Sequence, residues 1–141
     1  MAKKEQASDI LEKVVPEFLK AIKTGAEIAP PRQSSIGSVI VSLPFIGEDG
    51  HFIEVEVRKL LSGYVRISDM ENQMGELFLR GFDVTPKIRK VIEKIAIRHR
   101  LILEGDEIVI IVKLEEVGKA LRDMVQAQLA VSYLRFFSME L

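Results

Sequence analysis

Two short turn signals, Gly47-Glu48-Asp49-Gly50 and Leu61-Ser62-Gly63, bracket a stretch in which apolar and charged residues alternate. Connections this short join antiparallel neighbours, and the alternation marks a strand with one buried face. Between the turns Phe52, Val55 and Val57 are apolar, while Glu54, Glu56 and Arg58 are charged. Ile53 breaks the pattern, which predicts a bulge or burial on both sides. Before the first turn, Val39 to Phe45 reads as a strand that ends or lies at an edge near Pro44, because proline offers no N–H to a ladder. After the second turn, Tyr64 to Ser68 reads as a third strand, giving a three-stranded antiparallel meander.

Helical spacing takes over elsewhere. Ser8 or Asp9 can cap a helix to about Thr24, with Ile10, Leu11, Val14, Val15, Phe18, Leu19 and Ile22 on one face and a kink or restart at Pro16. Gly25 to Gly37, with Pro30, Pro31, Ser34 and Ser35, reads as a linker. Gln73 to Arg80 forms a short helix ended near Gly81, and Thr85-Pro86 opens a helix to about His99, with Ile88, Val91, Ile92 and Ile95 inward. Leu101 to Lys113, turning at Glu104-Gly105-Asp106, is a second hairpin. Leu114 to about Ser138 reads as one long helix, apolar nearly all round from Leu129 onward and therefore buried on more than one side. The expectation is an α+β fold: a three-stranded meander plus a second hairpin, packed with helices on one face. Residues 1–37 supply a helix and linker, and 36–141 the α+β body of a single compact domain.

Composition narrows the chemistry. The chain has 141 residues, 48% apolar and 29% charged, and a formal net charge of -1, which suits a globular domain and argues against a globally basic nucleic-acid binder. The absence of cysteine excludes disulfides, zinc-thiolate sites and thiol nucleophiles. No apolar run suits a secretory signal or a membrane span, so the expected location is cytoplasmic. His51 and His99 form no local ligand pair, and no phosphate loop or nucleophile elbow is present. No metal site and no cofactor are expected.

Three patterns carry a resemblance across roughly Ile36 to Tyr133. They are Pro44-Phe45 before the Gly-Asp turn, Gly63-Tyr64-Val65-Arg66-Ile67-Ser68-Asp69 followed by a helix and Gly81-Phe82-Asp83, and Leu103-Glu104-Gly105-Asp106-Glu107-Ile108 leading into a helix with Leu121, Gln126, Leu129 and Ala130. In these the chain resembles a prokaryotic and phage family named domain of unknown function 1828. The resemblance implies a fold region rather than an activity. Where that family more often has Asp-Asp-Gly-Glu at the corner, this chain has Asp69-Met70-Glu71-Asn72.

Three functional readings follow. The first is a non-enzymatic interaction or regulatory domain that self-associates, as a dimer through the last helix, with Leu134, Phe136, Phe137 and Met139 as the interface. The second is a metal-dependent nuclease-like enzyme using strand carboxylates: Glu54 and Glu56 share a strand face, and Asp69 and Glu71 follow at the corner. Against it, Glu56-Val57-Arg58 has Arg where such sites use Lys, and Asp69 reads more simply as a helix cap. The third is a nucleic-acid-binding module using the stripe Lys87, Lys90, Lys94 and Arg98. A solvated helix face has the same pattern.

Overall fold

The computed structural model describes residues 32–35, 38–47 and 50–134. The strands are β1 (Arg32–Ser35), β2 (Ser38–Ile46), β3 (Phe52–Lys59), β4 (Tyr64–Ser68), β5 (Ile102–Glu104) and β6 (Glu107–Lys113); the helices are α1 (Asn72–Leu79), α2 (Pro86–Arg98) and α3 (Val117–Ser132). The meander and the second hairpin are parts of one antiparallel six-stranded sheet in the order β1-β2-β3-β4-β6-β5. The join is the register of β4 on β6, from Tyr64 opposite Lys113 to Ser68 opposite Val109. Arg32 to Ser35, read as linker, instead adds an edge strand to β2. The helix expected over Ser8 to Thr24 lies outside the described residues.

The registers set Val41 opposite Val55, Val57 opposite Ile67 and Ile67 opposite Ile110, so these side chains share a face. Val39, Leu43, Ile53 and Val65 complete it, and α1, α2 and α3 cover it with Met74, Leu77, Ile88, Ile92, Ala96, Leu121, Met124 and Val131. Fully burying one such side chain contributes about 1.5–3 kcal/mol. The irregularity at Ile53 is resolved by its partner strand. Ile53 joins Val55 and Val57 in the core, while Phe52 turns out to the surface. The register shift lies between Ser42 and Ile46, across Pro44, where the ladder loses a donor.

Helix ends follow local chemistry. The Thr85 hydroxyl accepts from the Ile88 N–H at 3.2 Å, with Pro86 in the first turn. Gly81, at φ +77, lets the Phe82 N–H reach the Leu77 carbonyl and its own N–H reach Phe78, closing α1 in a Schellman motif. The same pair of bonds ends α2, from Leu101 to Ala96 and from Arg100 to Ile97, but there the left-handed residue is Arg100, at φ 66. The last helix is shorter than expected: Leu114–Glu116 is a 3-10 turn and the α-helix stops at Ser132, whose hydroxyl bonds the Leu129 carbonyl at 2.8 Å. Its broad buried arc is met within the chain, by the sheet on one side and by α1 and α2 on the other.

Candidate functional site

At the end of β4 the chain turns a tight corner. Met70 and Glu71 are consecutive left-handed residues, at φ 59 and φ 63. Asp69 holds this geometry from a fully buried position. Its Oδ1 accepts from the Glu71 N–H at 3.0 Å and the Ile108 N–H at 2.9 Å, and its Oδ2 from the Gln73 N–H at 3.1 Å. One carboxylate thus caps α1 and continues the β4–β6 ladder beyond Ser68. The cap acts from two residues ahead of the N-cap position, which is Glu71. Burial pushes the Asp69 carboxyl from 3.8 up to about 6, against the three N–H donors, which favour the anion. Ser68, on the other face, accepts from the Met70 N–H at 2.9 Å and donates to the Glu107 carboxylate. That hydroxyl, and next Arg66 at 3.1 Å, hold Glu107 below its usual range.

The strand carboxylates do not meet Asp69. Glu54 and Glu56 share a face of β3, as their spacing requires, but that face lies opposite the core. Glu54 accepts from the Ser42 hydroxyl at 3.0 Å, and Glu56 from Ser38 at 3.5 Å and from Arg58 at 3.4 Å. Asp69 continues the Val65, Ile67 side, so the sheet separates it from both glutamates. Glu71 is exposed. Among the described residues no group of three or more histidines or acids could hold a metal ion.

A feature that the sequence alone did not expose lies beneath the corner. The register of β4 on β3 ends at Ser68, opposite Glu56. Beyond it the Gln128 amide of α3 approaches β3, its Nε2 donating to Glu54 O at 3.3 Å. Gln128 Oε1 in turn accepts from Gln73 Nε2 of α1 at 3.0 Å. Gln128 is fully buried and Gln73 nearly so. The available signal was Gln128 itself, a polar residue four after Met124 and three before Val131, at core-facing spacing.

The α2 stripe is as expected in place and exposure. Lys87, Lys90, Lys94 and Arg98 all face solvent, opposite Ile88, Ile92 and Ala96. None of the four has an ion-pair partner among the described residues, whereas Arg89 pairs with Asp106 at 2.9 Å and Arg100 with Asp123 at 3.5 Å. Together α2 and α3 hold seven Lys and Arg against two acids, Glu93 and Asp123, on a chain whose net charge is -1. Of the four residues read as an oligomer interface, Leu134 is buried, and Phe136, Phe137 and Met139 lie outside the described residues.

A family model described as Domain of unknown function DUF1828 matches residues 43–131. The chain belongs to the DUF1828 family. No curated protein and no solved structure matches it. The DUF1828 match runs from the second half of β2 into α3, so it contains the corner, the paired glutamines and the basic helix. Residue 71, where the resemblance noted in the sequence would place a Gly, is a left-handed Glu in this chain. A left-handed backbone at this position favours Gly on conformational grounds. Among the described residues no helix is long and apolar enough to cross a membrane.

Proposed function

We propose that this DUF1828 chain is a non-enzymatic interaction domain. The observation that carries the reading is the state of Asp69, the buried acid best placed for chemistry. Both of its oxygens are engaged by main-chain N–H groups, so its chemistry is spent on the fold. Glu54 and Glu56, the other acids of the nuclease reading, lie across the sheet with hydroxyl and guanidinium partners of their own. The test is a melting curve with and without magnesium or manganese. We expect no shift; a rise that Glu56→Ala abolishes would overturn the reading in favour of a metal-dependent enzyme.

Self-association is one form this interaction takes, supported by the apolar sequence Leu134 to Leu141, whose aromatic and Met residues suit an interface. Light scattering that returned a monomer at high concentration would remove it. A second reading rests on α2, whose four cations on one exposed stripe have no ion-pair partner among the described residues and suit an anionic partner such as nucleic acid. Retention on DNA or RNA at low salt, lost as salt rises, is its expected signature.

A further inference from the structure

Between the head of α1 and the first residues of β3 lies a cavity of ≈ 230 Å³, bordered by His51, Phe52, Asn72, Gln73, Glu76 and Gln128. We propose that this cavity binds a guanidinium group. The inference goes beyond the interaction reading and does not depend on the α2 stripe.

The hydrogen-bond logic of the paired glutamines comes first. Gln128 must direct its Nε2 at the Glu54 carbonyl, which can only accept, so its Oε1 faces Gln73. Gln73 must then direct its own Nε2 at Gln128, and its orientation is fixed as well. That leaves Gln73 Oε1 with no donor among the described residues, on a side chain only 8% exposed that borders the cavity. A buried acceptor without a donor is unfavourable, and a donor supplied by a ligand relieves it.

A second acceptor stands one helical step away. Glu76 Oε1 takes the Arg80 Nε–H at 2.8 Å, and Glu76 Oε2 has no partner among the described residues. Residues three apart share a helix face, so Gln73 and Glu76 border the cavity together. Asn72 adds a side-chain amide that makes no hydrogen bond among the described residues.

This chemistry selects the occupant. An anion would face the Glu76 carboxylate, and the first N–H groups of α1, which would otherwise hold it, are already bound to Asp69. A guanidinium brings five N–H donors, no acceptor and a positive charge, which suits an amide oxygen and a carboxylate oxygen side by side. The volume is below the roughly 300–1,000 Å³ of sites for drug-sized ligands, so it suits a head group rather than a large molecule. An arginine of a partner protein and a small free guanidine offer the same head group.

The test uses the full-length chain labelled with ¹⁵N and titrated with agmatine, with N-acetyl-arginine amide, and with N-acetyl-citrulline amide as the neutral isostere. We expect saturable shifts at Asn72, Gln73 and Glu76 with the first two, and binding of the citrulline compound at least about tenfold weaker. Glu76→Gln keeps the side-chain shape and should weaken the guanidinium compounds about tenfold, while Lys90→Glu with Lys94→Glu leaves them unchanged. Tighter binding of N-acetyl-arginine amide assigns the site to a partner's arginine, and tighter binding of agmatine to a free small molecule. No saturable shift, equal binding of the citrulline compound, or an unaffected Glu76→Gln variant would overturn the proposal.

Discussion

The corner after β4 and the outer face of α2 are both rich in charge, and the fold uses them in opposite ways. At the corner Asp69 meets three main-chain donors, and Ser68, Glu107 and Arg66 satisfy one another on the other face of the sheet. On α2, Lys87, Lys90, Lys94 and Arg98 end in solvent. A group already holding its hydrogen bonds has little capacity left for a ligand, and a change to it registers as stability. A group without partners registers only when something binds. Substitutions in the two regions should therefore separate cleanly by readout.

The largest effect belongs to the corner. Asp69→Ala removes the acceptor of three N–H groups, and those of Gln73 and Ile108 are buried. Stranded buried donors cost about 1–3 kcal/mol each, so the variant should lose about 4 kcal/mol in urea unfolding. A loss below about 1 kcal/mol would show that water reaches these donors and that the corner is not a closed structural unit.

The same carboxyl sets a pH dependence. Its folded pKa, about 6, lies above the ordinary 3.8, so the folded chain binds the proton more tightly than the unfolded chain. The stabilisation from that proton is fully present below pH 3.8 and lost as pH rises through about 6. A shift of this size corresponds to about 3 kcal/mol. Glu107, held below its usual range by Ser68 and then Arg66, works with the opposite sign, so the comparison needs a control. Wild type should lose stability relative to Asp69→Asn between about pH 4 and pH 7, as measured by denaturant unfolding. Parallel profiles would contradict the burial of this group.

Gln128→Leu comes next. It keeps the volume in the core but removes the bonds that Gln128 makes to the Glu54 carbonyl and to Gln73 Nε2, at a cost of about 2 kcal/mol. If the melting temperature stays the same, the amide bridge does not contribute to stability.

These three effects mark where the sequence was and was not legible. Tyr64 to Ser68 emerges as a strand residue for residue, and Thr85-Pro86 opens α2 as expected, because alternation, turn glycines and caps act over a few residues. Asp69 was legible as a helix cap for the same reason. The docking of β6 on β4 was not, since non-local pairing leaves no periodic mark in either strand. Nor was the Gln73–Gln128 bridge, whose partners stand 55 residues apart. The opposition of Glu54 and Glu56 to Asp69 likewise required the register of β3 on β4. Alternation within β3 already set Glu54 and Glu56 on the face away from Val55 and Val57, but it could not say on which side of the sheet the corner would place Asp69.

A smaller effect of opposite sign tests the corner's backbone. Glu71 sits at φ 63, where a side chain strains the chain and Gly does not. Glu71→Gly should stabilise by about 0.5–1 kcal/mol, the relief of left-handed strain less the added freedom of the unfolded chain. Destabilisation would mean that the Glu71 side chain contributes more than its backbone costs, and would return the departure from the family's corner pattern to a question of function.

The smallest effect on stability falls on α2, and there it carries the most information. Lys90→Glu with Lys94→Glu alters two exposed side chains that have no ion-pair partner among the described residues, so unfolding should change by less than about 0.5 kcal/mol. Binding to an anionic partner should behave differently. Each phosphate that a removed lysine no longer neutralises lowers the slope of log affinity against log salt by about one. The double variant should therefore flatten that slope by about two and fail to be retained on DNA or RNA at low salt. A double variant that unfolds like wild type but still binds with an unchanged slope would place the binding surface elsewhere. If wild type shows no retention, the stripe is a solvated helix face, and the comparison between spent and unspent charge then describes only how the fold is built.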